Sequence, residues 1–511
     1  MVKKGIVFLS FLLLSACVTS QPDTVEQRYA EAQLNLKKIF SQQHNLPRDL
    51  DFYEALARGL KYNLDYRIKL ANTALQTGQL ELAEFAMFPV LNATGSLYTR
   101  SNDLATTGIT TSGALTDVLI STPRTLRSAR IAMSWNILDF GMAYVRAKQQ
   151  GERVLIAQEE SRKQLQLLAQ DILVAYWNAY SIQELINNTY EFERELLKAK
   201  QKLENAMLDK TIPKEGILQF EEAVLNGNRQ MIQLKNKYDK AMITLKRLLN
   251  LPLDQHYILA RPPTALIKTQ NLAAVDFRKL DAISLVNRPE LRGQQYQIRI
   301  AKHGVLATIF QALPGITLNY GWNYNSNQFL VNNKWIDRSI DASWNLLNLA
   351  TLPSSLKTAN TQIEYEKLKS MALTLTVLTE TRSAYYNCQN LSEEYAIIQQ
   401  QVANANAIYT LTHHRQHASL ASDQQVILSK IHWITVKMDE NLVLADMSTA
   451  VGQLYLSAGF DVLPLDINNL PLPRITKIIR THFESQSDMD FKQYVDLTYQ
   501  RLFNVNRKKV C

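Results

Sequence analysis

Residues 134–141 read SWNILDFG, and 209 positions later residues 343–350 read SWNLLNLA. Forty residues past the first copy stands AYWNAYS (175–181), with AYYNCQN (384–390) at the same offset. Upstream, NLDYR (63–67) lies 22 residues before Pro89, and RPELR (288–292) lies 22 residues before Pro314. Only the span from proline to tryptophan differs, 46 residues in the first half against 30 in the second. Self-similarity at a fixed period constrains architecture before any residue chemistry does. A unit this long is a duplicated domain with one loop of unequal length, not a solenoid.

The segments around the repeated phrase alternate with period two. Along 128–137, Ala129, Ile131, Met133, Trp135 and Ile137 share one face, with Ser128, Arg130, Ser134 and Asn136 on the other. Along 316–325, Ile316, Leu318, Tyr320, Trp322 and Tyr324 oppose Thr317, Asn319, Gly321, Asn323 and Asn325. Along 337–346, Ile340, Ala342, Trp344 and Leu346 oppose Asp337, Ser339, Asp341 and Asn345. The stretch 90–100 alternates more weakly through Leu91, Ala93, Gly95 and Leu97. Alternation over about ten residues, rich in aromatics, marks a transmembrane β-strand, although a half-exposed strand of a soluble sheet has the same period. Four strands cannot close a barrel, and an open edge in hydrocarbon leaves backbone amides unpaired at several kcal/mol each. Such a chain must oligomerise, and strand counting allows a dimer of eight strands or a trimer of twelve.

Between the strand pairs the sequence reads as helix. From Phe140 to about Asp209 the only glycines are Gly141 and Gly151, and there is no proline. Leu165, Leu168, Ile172, Ala175, Ala179, Ile182 and Ile186 recur at alternating spacings of three and four, a coiled-coil seam. About seventy residues at about 1.5 Å each make a rod near 100 Å. Thr211-Ile212-Pro213 breaks it, and a returning helix ends near Leu251-Pro252. The second half repeats the plan with a helix over about 354–412, a turn over 413–422 and a return to Gly459. Shorter helices over 52–86 and 281–311 precede the strand pairs.

The first residues, MVKKGIVFLSFLLLSAC, have two lysines, an apolar run from Ile6 to Leu14 and small residues, which is the pattern of a secretory signal. Leu14-Ser15-Ala16-Cys17 resembles the bacterial lipobox, which makes Cys17 the lipid-anchor candidate. Each buried acyl methylene would add about 0.8 kcal/mol to membrane attachment. The other cysteines, Cys388 and Cys511, make no disulfide framework. Cys388 matches Ala179 and is expected to be a small buried helix residue. Without the signal's two lysines the chain holds 54 Lys+Arg against 47 Asp+Glu, a mild +7, and no basic block suggests nucleic acid.

The order helix, two strands, long helix, turn, helix, written twice, resembles the TolC-type outer membrane efflux protein family. Trp135-Asn136-Ile137-Leu138-Asp139-Phe140-Gly141 is similar to that family's tryptophan and Asp-x-Gly signature at the strand-to-helix step. Asn287-Arg288-Pro289-Glu290-Leu291 and Leu313-Pro314 are similar to its entries into the second half and the barrel. The resemblance covers about residues 50–460. It implies a mixed α+β, mostly α fold, in which a homotrimer forms a 12-stranded transmembrane β-barrel above a periplasmic α-barrel of long antiparallel coiled-coil helices. It implies a passive exit duct in the outer membrane of a Gram-negative bacterium, working with a periplasmic adaptor (membrane fusion) protein and an inner-membrane pump. Arg130, Asp337 and Asp341 would line the lumen, the tryptophans would meet lipid, and Cys17 would add an anchor in outer membrane lipid. The helical turns would grip the adaptor, with Thr211, Pro213 and Gly216 in the first turn and Asp423 in the second as contact candidates. A charge complementing the helix macrodipole is the other reading of Asp423.

The expected division is a signal peptide (1–16), an anchored arm (17–50), a first repeat (51–252), an equatorial linker (253–280), a second repeat (281–460) and a tail (461–511). His413 and His417 in HHRQH have the i, i+4 spacing of metal ligands, but no third ligand of matched spacing follows, and a solvated turn is expected. No glycine-rich phosphate loop or nucleophile elbow is present, so neither catalysis nor a cofactor is expected. A duct for type I protein secretion has the same shape. A lipid-anchored periplasmic coiled-coil scaffold is the reading from another class, and the alternating strands argue against it.

Overall fold

The computed structural model describes residues 22–504 apart from 42, 44–47, 209–213, 264–271, 273–274, 462–469 and 487–489. Cys17, Cys511, Thr211 and Pro213 lie outside the described residues. The first half runs α1 (Val25–Ser41), β1 (Asp49–Leu50), α2 (Phe52–Tyr62), α3 (Leu64–Phe85), β2 (Val90–Thr99), β3 (Leu104–Thr106), β4 (Leu119–Thr122), β5 (Thr125–Asn136), α4 (Ile137–Leu208) and α5 (Lys214–Leu248). After β6 (Ile258–Leu259) the second half runs α6 (Phe277–Asn287), α7 (Pro289–Gln311), β7 (Gly315–Asn325), β8 (Lys334–Ser343), α8 (Leu346–His417) and α9 (Asp423–Ser457). Two further helices close the chain, α10 (Leu472–Gln486) and α11 (Phe491–Asn504).

The duplication holds to the residue. α4 and α8 are each 72 residues long, α5 and α9 are each 35, and each pair starts 209 positions apart. The surplus in the first half sits between β2 and β5, where β3 and β4 pair as a small hairpin within the expected longer loop.

The repeated phrases mark joints. Asn136 Oδ1 accepts from the amides of Leu138 (2.9 Å) and Asp139 (3.1 Å), and Asn345 Oδ1 accepts from that of Leu347 (3.1 Å). Each asparagine satisfies amides that a helix start leaves without partners. The long helices therefore begin at Ile137 and Leu346, earlier than expected, and β8 ends at Ser343 instead of about 346. The expected strands ran too far because the capping asparagine and the apolar residue after it continue the alternation. Pro353 is consequently inside α8.

The second phrase anchors the helices at their middle. The Tyr176 hydroxyl lies 2.8 Å from the carbonyl of Leu50 and 2.7 Å from that of Ala260, at the ends of the parallel pair β1–β6. Its counterpart Tyr385 donates to Leu272 (2.6 Å). Burial pushes both phenols above their ordinary pKa. Tyr176→Phe and Tyr385→Phe should each cost about 1–2 kcal/mol, since a buried carbonyl loses a donor. Thermal unfolding in detergent checks this, and an unchanged midpoint in both variants would remove the clamp. Cys388 is buried at the position of Ala179, where desolvation pushes its thiol up to about 11.

Both return helices end on a left-handed residue, Asn250 (φ 53°) and Gly459 (φ 74°), again 209 apart. Leu251 N bonds Lys246 O (2.8 Å) and Phe460 N bonds Tyr455 O (3.1 Å), the bonding pattern of a Schellman C-cap. The N-cap residues of α3 and α7 reach these ends, Asn63 Nδ2 to Leu248 O (3.0 Å) and Arg288 Nη1 to Ser457 O (3.4 Å).

The described residues of the tail are mostly helical. Ile475, Ile479 and Phe483 of α10 join the first repeat's core with Phe52, Leu56, Ile172 and Leu249. Phe491 and Val495 of α11 join the second repeat's core with Leu280, Ile283, Tyr385 and Phe460. Thus α10 packs on α2 and α11 on α6, which are equivalent elements of the two repeats. Arg480–Asp51 (2.8 Å) and Lys279–Asp496 (2.5 Å) bridge the same two joints.

Candidate functional site

The four long strands form one antiparallel sheet in the order β2-β5-β7-β8. Its register places Arg130 opposite Thr94 and Asn323, Asp337 opposite Gly321, and Asp341 opposite Thr317. The three residues proposed from sequence as channel-lining therefore share one face. Arg130 Nη2 reaches Asp337 Oδ2 at 3.0 Å across the intervening β7. Gly321 makes the crossing possible, because a Cβ there would strike Asp337 Oδ1 and lie 3.2 Å from Arg130 Nε. Asn323 Nδ2 also donates to Asp337 Oδ1 (2.5 Å). Asp341 accepts from Asn319 Nδ2 (2.7 Å) and Ser339 Oγ (2.8 Å). Asn136–Thr317 (3.0 Å) and Ser96–Ser128 (2.6 Å) extend the polar network. Both members of the Arg130–Asp337 pair are half exposed, so its worth is set by position more than by stability.

The opposite face carries Leu91, Ala93, Leu97, Ile131, Met133, Leu318, Tyr320, Trp322, Ile336 and Ile340. On β7 the polar-face residues Gly321 and Asn323 are buried, whereas Tyr320 and Trp322 are exposed. Leu91 is 70% exposed and Ile340 77%, in a contiguous apolar surface. Water does not favour such a surface, which marks a lipid or protein contact.

The helices continue the lateral order of the sheet. Next to the sheet, α3 packs on α4, α4 on α7, and α7 on α8. Farther out, α5 packs on α4, α4 on α9, and α9 on α8. The expected seam from Leu165 to Ile182 is buried along α4. One border of the chain is thus β2, α3 and α5, and the other is β8 and α8. Both borders carry exposed apolar stripes. They are Ile68, Leu75 and Leu82 on α3, Leu218, Leu225 and Ile232 on α5, and Leu375, Tyr386, Ile397 and Ile408 on α8.

At the far end of the helices, Gly216 falls in the first turn of α5, and Asp423 is the first residue of α9. Ser422 caps α9 through a reciprocal bond with Gln425. HHRQH forms the last turn of α8 instead of opening the expected turn over 413–422, with His413 and His417 rings 4.8 Å apart. Tyr409 stacks on Trp433 (5.6 Å), joining α8 to α9 just above it. The helix outlasts its expected end because nothing from Thr412 to His417 breaks it, and Ala418 and Ser419 make the stop.

Charge within the helical hairpins sets a pH profile. Burial raises Asp171 on α4 and Asp439 and Asp446 on α9 above the ordinary 3.8, partly opposed by Arg247 and Lys237. Burial also lifts Glu290, but Arg288, its own backbone amide and Lys163 outweigh it and hold it below 4.5. The three aspartates contribute stability that is present below their unfolded values and lost as pH rises through their raised folded values. Glu290 contributes stability that is present above 4.5 and lost as pH falls through its depressed folded value. The unfolding midpoint should therefore rise on mild acidification and drop below pH 4.5. Glu290→Gln should flatten the drop, and an acid limb of equal steepness in that variant would refute the assignment.

No known family signature and no curated protein matches the sequence. Solved structures do resemble it. The MtrE outer membrane channel of Neisseria gonorrhoeae, in its open state, is 15% identical with a TM-score of 0.64, over 81% of this chain and 89% of that one. The CmeC outer membrane channel of Campylobacter jejuni is 12% identical with a TM-score of 0.62, over 92% of this chain and 94% of that one. CusC, described in forming a transmembrane channel, is 15% identical with a TM-score of 0.62, over 82% and 96%. At such identities the likeness is one of fold. This chain has the TolC-type fold of the outer membrane channels.

Proposed function

We propose that three copies of this chain close into a twelve-stranded barrel in the outer membrane and act as a passive exit duct. The observation that carries this reading is the sheet. It has one polar face, one exposed apolar face and two open outer strands, and these are met below by helical borders with apolar stripes. Edges left open in hydrocarbon are too costly to persist, so β8 of one copy pairs with β2 of the next. Four strands per chain allow two or three copies, and the TolC-type resemblance selects three. The polar face then lines the lumen with Arg130, Asp337 and Asp341. On this reading Cys17 carries lipid beside the barrel, and the helical tips with Thr211, Pro213, Gly216 and Asp423 meet a periplasmic adaptor that receives cargo from an inner-membrane pump.

Purified protein imaged by negative-stain electron microscopy should show three-fold particles with a hollow stalk, and should open ion-conducting pores in planar bilayers. Gly321→Leu should narrow the barrel, wedging apart the Arg130–Asp337 pair and lowering single-channel conductance. Monomeric rods without conductance would overturn the duct.

A further inference from the structure

The apolar face of the sheet carries three bases and no acid. The only acids in the four strands, Asp337 and Asp341, lie on the other face. Arg127 stands opposite Leu97 on β2, Lys334 opposite Tyr324, and Arg338 opposite Tyr320. All three are exposed. The Arg338 guanidinium lies 5.5 Å from the centre of the Tyr320 ring, which places it among the apolar side chains and not over the polar face. Arg127 is fixed through its backbone by Ser326, whose amide donates to its carbonyl (2.9 Å) and whose Oγ accepts from its amide (2.8 Å).

All three bases fall in the half of the sheet away from the long helices. β8 starts at Lys334 and runs toward α8, so Arg338 is four residues, or about 13 Å, along the strand. At the tilt of membrane strands this is about 10 Å of depth, within reach of a side chain that extends its charge toward the headgroups. Tyr320, Trp322 and Tyr324 fill the space between, forming an aromatic band of the kind that sits at a membrane surface.

We infer that Arg127, Lys334 and Arg338 form a docking surface for the phosphates of net-anionic lipids in the outer leaflet. The inference rests on the duct reading, which turns this face to lipid and this end outward. Among the described residues no carboxylate pairs with the Arg338 guanidinium, a costly arrangement in an apolar band, and a lipid phosphate supplies an acceptor. Two of the three bases are arginines, whose planar fork matches phosphate oxygens in pairs. Closure into a trimer repeats the set three times around the barrel.

The test is native mass spectrometry of the protein released from a neutral detergent, titrated with phosphatidylglycerol or phosphatidylcholine. The expected result is trimers that bind phosphatidylglycerol more tightly. Each of Arg127→Gln, Lys334→Gln and Arg338→Gln should weaken that binding about fivefold, and the triple variant should bind both lipids alike. Equal binding of the two lipids by the unaltered trimer, or undiminished phosphatidylglycerol binding by the triple variant, would overturn the docking surface. Displacement of the lipid by inorganic phosphate would overturn the lipid as its source. The same spectrum reports assembly, so an absence of trimers identifies failure of the duct reading itself.

Discussion

In the proposed trimer, Ile397→Asp is expected to abolish assembly while leaving the single chain folded. Ile397 is 58% exposed in the protomer and belongs to the stripe Leu375, Tyr386, Ile397 and Ile408, spaced eleven residues or three helical turns apart. On the opposite border Leu218, Leu225 and Ile232 form a matching stripe at heptad spacing on α5. Burial of one such side chain contributes about 1.5–3 kcal/mol, and an unpaired carboxylate in its place adds a penalty of several kcal/mol. A closed ring meets that loss at all three interfaces. An exposed substitution that touches nothing would stay within about 0.5 kcal/mol. Light scattering after size exclusion, with circular dichroism for helix content, separates these outcomes. A trimer of undiminished stability would show that α8 does not border a neighbour.

Gly459→Val should cost about 3 kcal/mol or more and lower the yield of folded protein. Gly459 holds φ 74°, which a β-branched residue adopts only under strain. A Cβ there would also meet backbone, at 3.0 Å from both Arg288 N and Asn287 C, and backbone at the head of α7 has little room to yield. The equivalent Asn250 accepts a side chain because its Nδ2 bonds Tyr62 O. The joint in the second repeat has given that space to Asn287 and Arg288. Thermal unfolding of the variant beside Gly459→Ala, which should cost less, measures the effect. A valine variant with an unshifted midpoint would refute it.

Much of this architecture was legible because its signals are periodic. The seam through Leu165, Leu168 and Ile172 and the alternation through Ile316, Leu318 and Tyr320 each report an apolar side without reference to the rest of the fold. Joints were less legible. Asn136 and Asn345 continue the strand pattern, and only their bonds to the following amides reveal them as caps. The pairing of Arg130 with Asp337 could not be read, since it depends on the register of two strands through β7 and on the absence of a side chain at Gly321. The tail helices escaped notice although Ile475, Ile478, Ile479 and Phe483 carry helical spacing. Pro464, Pro471 and Pro473 before them and the mixed charge around them obscure it.

The equal lengths of the paired helices impose a tolerance on the chain. One residue added to a single long helix would advance its tip by about 1.5 Å and rotate everything beyond by about 100°, turning an inward seam outward. The two hairpins of one copy, and the six of the proposed ring, finish level only if such changes are made in matched pairs. At the other end the first half carries sixteen more residues than the second from proline to tryptophan, with no effect on the length of the helices. The molecule is gauged at the tips of its helices and free to vary in the loop between its first two long strands.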